Sequence, residues 1–185
     1  MMQRYARGTV IATSENLVYQ GAQNLENYLH NVETLLLVPY SNSALYQRLS
    51  TDSTPGYELD SYVNLTLKAS AVSDPTIYQA HLYADSQHAS YLVRSSVFSK
   101  SNVDAAPEQQ QLWIEPLHQS SNYGVGTVKR QQPQDVVSLH RTLWRVPEDT
   151  YIGQIDIDLT TDYLDSVMQK LKTNAQETVC LLLSD

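Results

Sequence analysis

Two aspartates, Asp156 and Asp158, lie two positions apart and have the clearest capacity for chemistry in this sequence. Apolar and polar residues alternate around them from Ile152 to Leu159, which is the pattern of a strand with one buried face. Both carboxylates would then project from the same face, where they could serve as an acid–base pair. Because no partner motif accompanies them, we interpret them as a solvated or ligand-binding pair. Use of either one by a small free-standing hydrolase is the alternative.

Other motifs that would indicate catalysis or metal binding are missing from the sequence. The five histidines have no metal-ligand spacing, and there is no HExxH, CxxC, glycine-rich phosphate loop or GxSxG elbow. The single cysteine, Cys180, has no partner for an internal disulfide. We therefore expect no catalytic residues, no metal and no cofactor.

A strand that leads directly into a helix must hold the two aspartates. After the alternating segment, Thr160 and Thr161 are good helix N-cap residues, and apolar residues then recur at helical spacing as far as Leu171. We predict the last strand of a small antiparallel sheet, followed by an exit helix.

The chain before this unit predicts the remaining layers. Thr13 or Ser14 is the expected N-cap of the first helix, and Pro39 should end or kink it. In order, the predicted elements are helices over 13–49 and 57–72, strands over 77–84 and 91–98, a short helix over 108–119, strands over 124–130 and 135–146, the unit above, and a final strand over 178–183. Consecutive strands with short turns indicate an α+β fold, with helices grouped on one face of an antiparallel sheet.

Composition and charge exclude several classes of partner. The 185 residues include 20 acidic and 12 basic ones, for a net charge of −8. This balance argues against nucleic acid and disfavours an anionic membrane surface, since both require basic patches. Thirteen tyrosines against one phenylalanine suit a partly wet binding surface, or simply a sheet with a polar face. No signal peptide and no apolar run of membrane-spanning length is present.

Three stretches together resemble the extracellular sensor region of bacterial double-Cache receptors, especially the YesM-like sensor histidine kinases. They are the helix NLENYLHNVETLLLVPYSNSALYQRLS, the run QLWIEPLHQSSNY, and the pair VVSLHRTLW and YIGQIDIDLTTDYL. The resemblance implies a PAS-like (Cache) antiparallel sheet of about five strands, with the long N-terminal helix along one face and a ligand pocket on the other. It implies a long helix and short following helix over 1–50, a membrane-distal module over 51–175, and the first strand of a membrane-proximal module over 176–185.

The same resemblance implies a function in signal transduction. The parent protein would be anchored in the cell membrane, carry a cytoplasmic histidine kinase, and act as a homodimer. The chain itself would lie outside the membrane and bind a small molecule. Two alternatives exist within this fold. The parent could be a chemoreceptor or another transmembrane receptor, or the module could dock an extracellular solute-binding protein.

Amino-acid-binding members of the wider family place an arginine two residues before the pocket tryptophan, and an acid at the end of the last strand. Trp113 and Asp158 match these positions, but Gln111 stands in place of the arginine that would hold a ligand carboxylate, which argues against an amino acid. Because many YesM-like systems are linked to carbohydrate uptake, the resemblance favours a saccharide. The candidate ligand-binding residues are Trp113, Tyr123, Arg141, Asp158 and Arg94.

Each candidate has a structural alternative. Trp113 could instead anchor its helix in the core, Asp158 could cap the exit helix, and Tyr123 could be a turn residue. His140 and Arg141 are neighbours in one strand and face opposite sides. We expect Arg141 to be the one that faces the pocket, because an arginine that faced a helix-packed core would need an ionic partner.

Overall fold

The computed structural model describes residues 2–52, 55–104, 106–107, 111–126 and 132–171. The described chain forms two compact units, one from residues 2–31 and 161–171 and the other from residues 32–160. The predicted final strand over 178–183 lies outside the described residues. None of the described helices combines the length and apolar character required to cross a membrane.

Five α-helices form in the described chain: α1 (Met2–Leu36), α2 (Val38–Ser41), α3 (Ser43–Leu49), α4 (Gly56–Ser73) and α5 (Asp162–Leu171). The predicted cap at Thr13 or Ser14 is wrong, because α1 continues through both positions toward its start at Met2. A capping side chain acts only where the preceding residues leave the helix, and nothing in the earlier residues forces that exit. The break near Pro39 is confirmed, since α1 ends at Leu36 and Pro39 lies buried in the first turn of α2.

The first unit pairs the exit helix with the long helix. The ring of Tyr163 on α5 stacks on that of Tyr28 on α1, with ring centroids 4.1 Å apart. Leu25 and Val167 are also buried. The apolar residues predicted at helical spacing along the exit helix are therefore part of the surface that packs in this unit.

Among its described residues, the second unit contains one antiparallel sheet of six strands, one more than predicted. The strands are β1 (Ile77–Ala84), β2 (Ala89–Arg94), β3 (Val97–Asn102), β4 (Leu112–Gln119), β5 (Asp135–Arg145) and β6 (Thr150–Thr160), and their spatial order is β3-β2-β1-β6-β5-β4. The last strand of the described chain, β6, therefore lies in the middle of the sheet. It is buried on both faces from Ile152 to Leu159, so the prediction of a half-buried strand is wrong. The alternation separates an apolar buried face from a polar buried face.

The segment 108–119, predicted as a helix, contains edge strand β4 from Leu112 to Gln119. Pro116 explains the difference: it would break a helix interior, but an edge strand tolerates it. The pairing with β5 shifts register between Glu115 and His118, which places Pro116 in the irregular stretch.

Two further strand predictions need correction. The segment 91–98 spans β2 and β3, because Ser95 and Ser96 both adopt positive φ, at 48° and 63°, and close a tight hairpin. The predicted strand over 124–130 does not begin at Gly124, which lies in a turn with φ of 76°. The rest of that segment, from position 127, is outside the described residues.

The apolar face of the sheet packs against α4. Ile155 and Ile157 of β6 lie beside Ala80 and Leu82 of β1, and Leu59, Val63 and Leu67 of α4 are fully buried with them. Full burial of such a side chain contributes about 1.5–3 kcal/mol. This layer gives the sheet a rigid support on one side, so that its other face can carry polar groups.

Candidate functional site

The face of the sheet opposite α4 carries a buried set of polar side chains, which we call the polar cluster. Strand pairing creates it: Gln79 and His81 of β1 lie opposite Asp158 and Asp156 of β6, which lie opposite Ser138 and His140 of β5. The members are Gln79, His81, Arg94, Ser138, His140, Gln154, Asp156 and Asp158, and each has 4% or less of its surface exposed.

Asp156 lies at the centre of the polar cluster, with no exposed surface. Its Oδ2 accepts from His81 Nδ1 at 2.5 Å, and its Oδ1 accepts from His140 Nδ1 at 2.7 Å and from Gln154 Nε2 at 2.7 Å. Burial alone would raise the pKa of this carboxyl, but the hydrogen bonds and charges of the two histidines hold the pKa below its usual value. Asp156 is therefore a buried anion that fixes two imidazoles with their protons on Nδ1.

Asp158 has a different environment, although it is also fully buried. Its carboxyl accepts hydrogen bonds from Gln79 Nε2 at 2.5 Å, Tyr123 OH at 2.5 Å and Ser138 Oγ at 2.6 Å. Burial raises the pKa of Asp158 above its usual value; these bonds oppose the rise, and the nearby charge of Asp156 adds to it. The two aspartates thus differ in protonation tendency despite being two residues apart.

Arg94 brings a buried cation to the same face. Its Nε donates to Gln79 Oε1 at 2.6 Å, and its Nη2 donates to the Ser121 carbonyl at 3.2 Å and to Asn122 Oδ1 at 3.0 Å. All three acceptors are uncharged. Because Gln79 also donates to Asp158, one amide group links the guanidinium to the carboxyl.

Two aromatic rings cover the polar cluster. Tyr123 stacks on His81 with centroids 4.2 Å apart, and Trp113 stacks on His140 with centroids 4.4 Å apart. Trp113 comes from edge strand β4, and Tyr123 comes from the segment after it. Tyr123 has a positive φ of 50°, which turns this segment over the sheet. Burial and the charges of Asp156 and Asp158 raise the pKa of Tyr123 well above its usual value, so its hydroxyl remains a donor.

The structure brings together four of the five candidate residues: Trp113, Tyr123, Asp158 and Arg94. Arg141 is not among them. It lies on the opposite face of β5, where its Nη1 is 3.6 Å from Glu33 Oε1 of α1. The prediction that Arg141 faces the pocket side is therefore wrong, because the required ionic partner comes from a residue more than a hundred positions away.

The structural alternatives also fail for two of these residues. Trp113 lies on a strand, so it does not anchor a helix, and the Asp158 carboxyl binds Gln79, Tyr123 and Ser138 rather than capping α5. Sequence reasoning missed His81 and His140. A signal was available, because polar residues occupy alternate positions of β1, β5 and β6, but their faces could be matched only with the strand register known.

The raised pKa of His140 predicts a pH dependence of stability. Burial lowers this pKa, but the hydrogen bond and charge of Asp156, with the charges of Asp158 and Glu115, more than offset it. His81 and His118 also face this region. A histidine whose pKa is higher in the folded state stabilises the fold. This stabilisation is fully present below the unfolded-state pKa of about 6.5, and it is lost as pH rises through the folded-state pKa.

We therefore expect the free energy of unfolding to fall as pH rises from about 6 to about 8, and to fall less in the His140→Asn variant than in the wild type. Chemical denaturation at several pH values measures this free energy for both proteins. His88→Asn is the matched control, because His88 is exposed and its left-handed backbone suits asparagine. Equal slopes in the wild type and His140→Asn would contradict the assignment.

Comparison with known proteins gives a class by fold. No protein-family model matches the chain, and no curated protein matches it. Solved structures do match, and they include sensory domains of bacterial chemoreceptors. The shared α+β arrangement, a long N-terminal helix with an antiparallel sheet, is that of Cache/PAS-like sensory domains.

Among these structures is the ligand-binding domain of the Campylobacter jejuni chemoreceptor Tlp3 in complex with 4-methylisoleucine. It has a TM-score of 0.61 and 13% identity over 83% of this chain and 59% of that one. The extracellular domain of vpHK1S-Z8, a candidate histidine kinase, has a TM-score of 0.55 and 11% identity, over 85% of this chain and 62% of that one. The periplasmic sensory domain of the C. jejuni chemoreceptor Tlp1 has a TM-score of 0.53 and 11% identity, over 84% of this chain and 62% of that one. The chain thus spans about three fifths of the length of these domains.

Proposed function

We propose that this chain is the ligand-sensing module of a membrane receptor and that it acts outside the cytoplasmic membrane. The observation that carries the proposal is the polar cluster: Arg94, Asp156 and Asp158 are buried on one face of a rigid sheet, under the rings of Trp113 and Tyr123. The fold shared with bacterial sensory domains supports the same conclusion.

A buried polar cluster is less stabilising than an apolar layer of the same size, because replacing buried ion pairs with well-packed apolar residues is often neutral or stabilising. Buried titratable groups with shifted pKa values are concentrated at functional sites, where the chemistry requires them. The pKa values of Asp156 and Asp158 are shifted in opposite directions, and Arg94 hydrogen-bonds only to uncharged acceptors among the described residues. Both features fit a site that recognises a polar ligand.

The ligand class we favour is a saccharide. Side chains that suit sugar hydroxyls, namely amides, hydroxyls and carboxyls beneath aromatic rings, make up most of the polar cluster. Gln111, which replaces the family arginine, is exposed and carries no charge to hold a carboxylate. The competing ligand is an α-amino acid, since Arg94 and Asp158 offer one cation and one acid on the same face. The Tlp3 domain has been solved with amino acids of this kind.

The receptor we propose is a YesM-like sensor histidine kinase that is anchored in the membrane and dimeric. A chemoreceptor is the alternative output, and docking of a solute-binding protein is the alternative input. A ligand drives either output only by binding the two signalling states with unequal affinity. The output is identified by the domain encoded beside this module, a histidine kinase core or a chemoreceptor signalling helix.

A hydrolase role for the two aspartates has less support. Asp156 and Asp158 each accept three hydrogen bonds from neighbouring side chains, so their carboxyl oxygens are already engaged in positioning those side chains. A general base needs hydrogen-bond reach to its substrate or to an attacking water.

Thermal unfolding against saccharides, amino acids and small carboxylates tests the proposal. A ligand that binds only the folded chain stabilises it by roughly 2.7 kcal/mol at about 100 times its Kd. We expect this from one class of compound, and we expect Trp113→Ala to abolish it. Leu112→Ala is the matched control, because Leu112 is the adjacent residue of β4 and faces the other side of the sheet.

Two results would count against the proposal. Absence of stabilisation by every class would leave docking of a partner protein as the input. Retention of full stabilisation in Trp113→Ala would move the binding site away from the polar cluster.

A further inference from the structure

Three buried polar atoms on the face of the polar cluster have no hydrogen-bond or ionic partner within the described chain. They are Trp144 Nε1, Tyr151 OH and Gln154 Oε1. Gln154 is itself more than nine-tenths buried. The neighbouring His140 Nε2 is not one of them, because it lies 3.4 Å from Glu115 Oε2. Buried polar side-chain atoms are nearly always paired in folded proteins, so three orphaned atoms on one face need an explanation.

These atoms extend the polar cluster toward the end of β5. His140 and Gln154 both donate to Asp156 Oδ1, each at 2.7 Å. Gln154 lies opposite Tyr83 in the register of β6 and β1. The Tyr151 ring centroid is 6.3 Å from that of Tyr83 and 5.9 Å from that of Trp144. The polar atoms are therefore accompanied by three aromatic rings.

The hydrogen-bond chemistry of the site is fixed by its neighbours. Asp156 can only accept, so the Gln154 nitrogen faces it and the Gln154 oxygen remains a free acceptor. Trp144 Nε1 is a donor only. Burial is the main cause that raises the pKa of Tyr151, and nearby charges raise it further. Its hydroxyl therefore keeps its proton and can both donate and accept. Donors and acceptors are thus mixed, as a ligand hydroxyl requires.

The charge of the site disfavours an anion. Two acids lie nearest: Asp156, which binds Gln154, and Asp85, whose Oδ1 accepts from Tyr83 OH at 3.3 Å. Arg94, the buried cation of the polar cluster, binds instead at the Gln79 end of the face. A carboxylate or phosphate at Trp144 and Tyr151 would meet negative charge without a cation to balance it.

From these contacts we infer a subsite for an uncharged, hydroxyl-bearing ring, the chemistry of a saccharide unit, at Trp144, Tyr151 and Gln154. The inference rests on the proposed function and assigns its ligand to this end of the face. The rings of Trp144 and Tyr151 are half-buried beside the exposed turn 146–149, so this end of the face borders solvent.

Nuclear magnetic resonance of the indole N–H groups tests the subsite directly. The sequence contains only two tryptophans, so Trp113→Phe assigns both signals. Neutral sugars (D-glucose, D-galactose, D-xylose and maltose) are the probes. We expect at least one of them to shift the Trp144 signal saturably, and Tyr151→Phe to weaken its binding about tenfold through the lost hydrogen bond.

Without sugar, Tyr151→Phe should be at least as stable as the wild type, because this hydroxyl has no bond to lose. Tyr57→Phe is the control, because Tyr57 is an exposed residue at the start of α4, and this variant should bind the sugar unchanged. A sugar that binds Tyr151→Phe as tightly as the wild type would overturn the subsite. Binding of amino acids alone would overturn it while leaving the proposed function in place. Failure of every compound to bind would overturn the subsite and also direct small-molecule sensing, which would leave docking of a partner protein as the input.

Discussion

Replacing Asp156 with alanine should lower the free energy of unfolding by about 3–5 kcal/mol, the usual result of removing one partner from a buried charged group. The carboxylate holds His81, His140 and Gln154 by hydrogen bonds of 2.5–2.7 Å, with no exposed surface. Its loss leaves three buried donors without their acceptor, and the two imidazoles lose what fixes their orientation.

Denaturant unfolding at neutral pH measures this effect. Asp104→Ala provides the comparison, since Asp104 is exposed and should change stability by no more than about 0.5 kcal/mol. If Asp156→Ala proved as stable as Asp104→Ala, the carboxylate would not organise the polar cluster as described. The ligand-binding proposal would then lose its preformed site.

Gly153→Ala should destabilise the protein by about 3 kcal/mol or more, by forcing backbone apart in the middle of the sheet. A Cβ at this position would lie 2.1 Å from the carbonyl oxygen of Tyr83, and the Gly153 φ of 154° is also one that side chains disfavour. Main-chain atoms of the paired strand cannot move aside as a flexible side chain can. The strain would fall between β1 and β6, the strands that carry His81 and Asp156.

Gly126→Ala is the matched control, because a Cβ there meets nothing within 4 Å. It should be neutral or slightly stabilising, by reducing the freedom of the unfolded chain. Thermal or chemical unfolding of the two variants compares them directly. Similar stability for both would show that the close approach of Gly153 to β1 is absent in solution.

Local sequence patterns determined the elements that carry the site. The period of two over 152–159, followed by helical spacing, predicted β6 and α5 because both patterns are written in consecutive residues. The α+β fold class followed from the order of such segments and is confirmed by the structure. The segment of β4 was predicted wrongly, because its extended form depends on pairing with β5 more than on local period.

The tertiary structure alone decided what each polar residue does. Asp156 meets His81 across 75 positions of sequence, and Arg141 finds Glu33 on a helix near the start of the chain. Neither pairing leaves a mark in the local pattern, because strand register and sheet order set it. The sequence by itself therefore determined which residues lie on one face of β6, while the strands brought beside it made that face a buried polar cluster.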